Sequence, residues 1–221
     1  MKTTSTPTRR TPSLPLAATL ALLAASPFVL ADGPAGAAPA PGDALPAPAP
    51  LPVEGVDPAE AERGRYLVTV SVCSDCHTPL KMGEHGPEPD MSRFLAGHPQ
   101  ELVMPPAPAL PEGPWLVVSS GTVTAWNGPW GTSFTANLTP DEDTGLGLWT
   151  WENFRDTIRS GRHLGRGREI LPPMPVSMFR HFTDADLKAI YAYLRSIPPV
   201  SNRVPEPLPP PAAPAAPAAA D

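Results

Sequence analysis

Cys73 and Cys76 are the two cysteines of this 221-residue chain, and His77 follows the second directly. Thiols three residues apart at the start of a helix share one face. From there they can add to the two vinyl groups of a haem as thioethers, while the imidazole one turn on from Cys73 becomes the proximal ligand of the iron. A Cys-x-x-Cys pair also serves as a disulfide, as a thioredoxin-like redox centre or as half of a zinc site. A redox centre of that kind sits between a buried strand and a helix, and no βαβ pattern flanks this pair. Zinc needs further ligands, and His85, His98, His163 and His181 are scattered. Cys73-Ser-Asp-Cys-His77 therefore reads first as a covalent haem site.

The elements that must position it can be read on both sides. Asp57-Pro58 is a helix start, with an N-cap acid before proline at the first helical position. Ala59–Val70 reads as helix, with Gly64, Leu67, Val68 and Ser71 on one face. Its Val-Thr-Val-Ser-Val end has weak helix propensity, so packing must hold it, and Gly64 lets a second helix approach closely. Residues 79–114 are rich in proline and read as a long loop with a short helix at Met91–Leu95. Trp115–Val118 and Thr122–Trp126 flank Ser-Ser-Gly and read as a β-hairpin, followed by turn chemistry at Gly128–Gly131. Thr150 is set to cap a helix from Trp151 to Ser160 that Gly161 ends. Arg162, His163, Arg166 and Arg168 then make a basic loop, either plainly solvated or a docking patch. Thr183 opens a last helix, Asp184–Ser196, with Leu187, Ile190, Tyr191 and Leu194 on its apolar stripe, and Pro198-Pro199 stops it.

GRYLVTVSVCSDCHTP, FTANLTPDEDTGLGLWTWENFRDTIRSGR and ILPPMPVSMFRHFTDADLKAIYAYLRSIPPV together resemble the mono-haem class I cytochrome c family, over roughly residues 57–78 and 126–200. The resemblance implies an all-α fold, cytochrome c-like helices around one covalent haem c, here with a long loop and β-hairpin insertion. It implies that the terminal helices cross and lock the fold, and that the Asn137-Leu-Thr-Pro140 loop runs beneath a propionate. Trp149 or Trp151 could give its indole hydrogen to that group or simply pack in the core. Met174, in Leu171-Pro-Pro-Met-Pro175, matches the distal ligand: a soft thioether in a proline-stiffened loop, whose binding raises the reduction potential. A gap-filling methionine is the plainer reading of Met174, and Met178 is the next candidate ligand.

The ends of the chain give an address. Lys2, Arg9 and Arg10 precede an apolar stretch from Leu16 to Leu30, and Val29-Leu-Ala31 suits cleavage, so residues 1–31 read as a secretory signal peptide. Residues 32–56 form an Ala/Pro-rich linker and 205–221 a Pro/Ala-rich tail, both expected to be disordered. The folded domain is expected at 57–204. The whole chain has a net charge of −6, and removing 1–31 leaves 13 basic against 22 acidic residues, a net −9. That balance argues against nucleic acid or an anionic membrane as partner, and no stable membrane span remains after signal removal. With both axial positions filled the iron has no open site for substrate. The expectation is a periplasmic single-electron carrier, not an enzyme, that meets a dehydrogenase, reductase or terminal oxidase. The alternative is a cytochrome c subunit that accepts electrons from a partner dehydrogenase. A haem sensor would need an open distal position.

Overall fold

Helix α1 spans Pro58–Val70 and begins as its sequence dictates: the Asp57 carboxylate accepts from the amides of Ala59 and Glu60 at 2.8 and 2.9 Å, with Pro58 in the first turn. Ala61, Gly64, Leu67 and Val68 are its buried face. That face meets α5, Asp184–Arg195, whose amide of Asp186 is capped by the Thr183 hydroxyl. The approach is backbone to backbone. A Cβ on Gly64 would lie 1.9 Å from the Ala189 carbonyl oxygen and 2.7 Å from Cβ of Tyr193. Asp186 also reaches back across the pair to Arg63 at 3.0 Å.

The structure, a computed structural model, describes residues 47–108 and 113–210. The expected signal peptide lies outside the described residues, as do most of the linker and residues 211–221. Among the described residues there are three further helices: α2 at Cys73–His77, α3 at Trp151–Ser160 and α4 at Val176–Phe179. α3 has the limits the sequence sets, a reciprocal capping box between Thr150 and Asn153 at one end and Gly161 at φ 70° at the other. Phe154 and Ile158 of α3, Leu187, Ile190 and Leu194 of α5, Leu67 and Val68 of α1, and Phe94, Leu95 and Leu146 from loops form one core.

The all-α expectation is corrected by the segment between α2 and α3. It forms two small antiparallel sheets beside five short helices, so the fold is mixed. β1 (Leu80–Gly83) pairs with β2 (Gly86–Pro89), a hairpin that the prolines at 87 and 89 hid; an edge strand tolerates residues that cannot donate. The second sheet runs β3 (Val118–Ser119), β4 (Ala125–Gly128), β5 (Gly131–Phe134). Only the end of the expected Trp115–Val118 strand pairs, because hydroxyls organise a longer turn over 120–124. Ser120 Oγ accepts from the amide of Ala125, and Thr122 Oγ1 bonds both Ser120 and Thr124. The expected helix at Met91–Leu95 is a single 3-10 turn, Met91–Arg93.

Two stretches assigned by composition to disordered flanks carry contacts where they are described. The Tyr193 hydroxyl donates to the Pro48 carbonyl at 2.8 Å, Leu51 N–H donates to Ser196 at 2.7 Å, and Ala47 is buried. At the other end Leu208 exchanges both backbone hydrogen bonds with Thr132 of β5, each at 2.9 Å.

Candidate functional site

Val72 holds a left-handed conformation, φ 53°, which ends α1 and lets Cys73–His77 coil as a separate turn. Both cysteines are free thiols and are not joined to each other. Cys73 packs against the core, and burial pushes its thiol up to about 12. Cys76 is pushed up by burial and then by the neighbouring Asp75 carboxylate. As folded, these are thiols and not thiolates, and hence weak nucleophiles.

His77 is 8% exposed, and its Nδ1 lies 2.8 Å from the Ala136 carbonyl oxygen. A carbonyl only accepts, so Nδ1 carries the proton and the Nε2 lone pair is left for another partner. Burial pushes the imidazole pKa down, against a smaller upward pull from that hydrogen bond. The ring is therefore neutral and fixed in orientation, which is how a metal-binding imidazole is commonly held by its outer shell. The turn itself is stapled to the 95–97 segment. Thr78 Oγ1 accepts from the Leu95 amide at 3.0 Å, and the His77 carbonyl accepts from the Gly97 amide at 2.7 Å.

His77 lines a cavity of about 460 Å³, within the size range of small-molecule sites. Met174 lines the same cavity, with Phe134, Leu146, Trp149, Phe154 and Ile158 among its apolar walls and Arg168, Arg203, Glu142 and Glu206 among its charged groups. The structure thus brings His77 and Met174 together. Cys73 and Cys76 sit on the same short helix but not in the lining. The Met174 loop is tied down by Ser133 Oγ, which donates to Pro172 at 2.5 Å, and by Ile170 N–H donating to Gly161 at 2.8 Å. Met178 is 68% exposed and Met82 77%, Met91 is exposed too, and Met104 lines a different cavity.

The Asn137-Leu-Thr-Pro140 loop forms one wall and is a hydrogen-bonded knot. Asn137 Nδ2 donates to Val200 at 2.8 Å, and its Oδ1 accepts from both the amide and hydroxyl of Thr139. Asn202, which sequence reasoning passed over, is the matching clasp. It is 2% exposed, donates to the carbonyls of Ala96 and His98, and accepts from the Gln100 amide. All three partners lie a hundred or more residues away, so no local pattern signals its role. Trp149 makes an edge-on contact with His163 at 5.2 Å, and its carbonyl accepts from the Tyr191 hydroxyl. The other buried histidine, His98, is satisfied on both nitrogens by Thr124 and Leu102 and has no lone pair to spare. Among the described residues no three His, Cys, Asp or Glu side chains converge to hold a metal ion, so a zinc site at the cysteine pair has no further ligands there.

No family model matches the chain. It is similar to a subunit of the nicotinate dehydrogenase of Pseudomonas putida, 42% identical over 82 residues, 37% of this chain and 7% of that protein. It is similar to the fructose dehydrogenase cytochrome subunit of Gluconobacter japonicus, 29% identical over 132 residues, 60% of this chain and 20% of that one. The cytochrome c subunit of a quinone alcohol dehydrogenase of Gluconobacter oxydans is 28% identical over 156 residues, 69% and 25% of the two chains. A protein named a diheme c-type cytochrome also matches. The chain spans a quarter or less of the length of the first three. These likenesses support a cytochrome c family for the chain.

Proposed function

We propose that this chain is an electron-carrying cytochrome c subunit that accepts electrons from a partner dehydrogenase outside the cytoplasm. The observation that carries the reading is the shared cavity. A buried neutral imidazole with its Nε2 unspent and one methionine thioether line it, and the cysteine pair lies on the imidazole's own helix. These residues fit a covalent haem c: Cys73 and Cys76 would form the thioethers, and His77 and Met174 would be the axial ligands. When bound, haem iron takes up and releases single electrons. The chain's part is to orient His77 through Ala136, to hold the Met174 loop through Ser133, and to keep water from the apolar walls.

The single Cys-x-x-Cys-His of the sequence argues for one haem, although a diheme protein is among the relatives. Several relatives are named as cytochrome subunits of dehydrogenases. That favours the subunit over the free shuttle, the first expectation from sequence. A carrier rather than catalytic role fits two filled axial positions. No helix among the described residues is long and apolar enough to cross a membrane. Export follows from the reading of residues 1–31.

The spectrum of purified protein tests the site. The reading expects haem that survives acid–acetone extraction and adds its mass to the chain, with an oxidised-state absorption band of sulfur ligation. A disulfide between Cys73 and Cys76 in the peptide map, with no haem retained, would overturn it. Mild affinity isolation from the native host tests the role: a stoichiometric dehydrogenase is expected, and protein recovered free returns the chain to the shuttle.

A further inference from the structure

Residues 203–207 form part of the lining of the His77 cavity, and the segment is fastened at both ends. On one side Asn202 anchors it through the buried carbonyls of Ala96 and His98. On the other, Leu208 lies against β5 and exchanges two backbone hydrogen bonds with Thr132. Between the anchors Val204, Pro205, Glu206 and Pro207 all line the cavity. Glu206 pairs with another lining residue, with Oε2 3.2 Å from Nε of Arg168. The sequence of β5 accommodates the segment. Gly131 sits at φ 91°, and a Cβ there would lie 2.1 Å from the Leu208 carbonyl oxygen.

We propose that residues 203–208 are a strap that closes the cavity, latched by Leu208 on Thr132 and by Glu206 on Arg168. Two neighbouring residues of β5 hold two different parts of the cavity lining: Thr132 holds the strap, and Ser133 holds the loop that carries Met174. The strap therefore controls how water and small external ligands reach the group in the cavity. The two prolines limit the segment's freedom when released, so it re-closes from a small set of conformations. Both fastenings are weak singly. Glu206 is largely exposed, and exposed ion pairs add little. The strap is thus built to open without unfolding the core.

This inference rests on the haem reading for its ligand and on the backbone bridge for its existence, and the test separates them. Visible absorption first establishes whether haem is attached to the full chain. Cyanide is then mixed with the oxidised protein, and the rate at which it displaces the Met174 thioether from the iron is measured. Truncation after Val204 and Gly131→Ala should each speed cyanide binding roughly thirtyfold, the worth of two net backbone hydrogen bonds of ordinary strength. Glu206→Gln should speed it about two- to fivefold. In the unmodified chain hydrogen exchange should find the amides of Thr132 and Leu208 protected, and Gly131→Ala should abolish that protection at Leu208. Cyanide rates unchanged in both the truncated and Gly131→Ala proteins, or a Leu208 amide exchanging at the free-chain rate, would overturn the strap. A protein without haem overturns the functional reading instead, while the exchange measurement still decides the strap.

Discussion

Met174 and Met178 lie four residues apart, yet one lines the His77 cavity and the other stands in solvent. Met174→Ala should abolish the absorption band of sulfur ligation and lower the potential, since a soft thioether favours ferrous iron. The expected drop is on the order of 100 mV, and for a one-electron couple about 59 mV is a tenfold change in equilibrium constant. Met178→Ala should leave band and potential alone; a lost band in that variant would move the ligand to the helix after the loop. His98 offers a test free of the haem. Burial holds its pKa below the ordinary 6.5. The unfolded chain then takes up the proton at higher pH than the folded one. Its contribution to stability is complete above about 6.5 and is lost as pH falls below that value. Urea midpoints should therefore decline from pH 7 to 5. In His98→Gln they should start lower, with Thr124 and Leu102 less well matched, and decline less steeply. Equal slopes in the two proteins would show that His98 titrates as an exposed residue does.

Gly64 decides the α1–α5 pair. Alanine there would gain about 1 kcal/mol in helix propensity. Its methyl, however, would sit inside contact distance of α5 backbone, and overpacking costs about 1–3 kcal/mol, more where main chain must move. Gly64→Ala should lose about 2 kcal/mol in urea unfolding, and an unchanged midpoint would place the helices farther apart. This contact was legible because a glycine on the buried face of an otherwise regular helix has one good structural use. The limits of α3 were legible for the same kind of reason: Thr150 and Gly161 are chemically suited to the two ends they occupy. The sheets were legible only in part, at the hairpin of β3 and β4. β2 carries two prolines, and β5, Gly-Thr-Ser-Phe, has little of the alternation that marks a strand. Both owe their form to partners and not to propensity. At the site, the Cys-x-x-Cys-His pentapeptide and the Met174 loop could be read from spacing and chemistry. The Ala136 carbonyl that fixes His77 could not, because a backbone acceptor leaves no trace in residue type.

The described chain is held by its ends more than its composition suggested. Ala47, Pro48 and Leu51 bond to Arg65, Tyr193 and Ser196, all through main-chain groups that any sequence could supply. Removing residues 1–53 should strand the buried Tyr193 hydroxyl and cost about 2 kcal/mol, roughly 4–8 °C in Tm for a domain of this size. A truncated protein that melts with the full chain would return the segment to the role of spacer. The crossing of α1 and α5 has a consequence in time as well as in space. Arg63 and Asp186, which join the two helices, are 123 residues apart, so α1 has no surface to fold against until nearly the whole domain has been made. A short helix without tertiary partners is marginal in water. Until then the pentapeptide after α1 belongs to an open chain, where its thiols keep their ordinary acidity and are reachable. Cys73 packs against a core to which α5 contributes Leu187, Ile190 and Leu194, so completion of α5 ends that interval. On the proposed reading the last helix to appear is therefore also a clock, and haem attachment would belong to the stretch before it strikes.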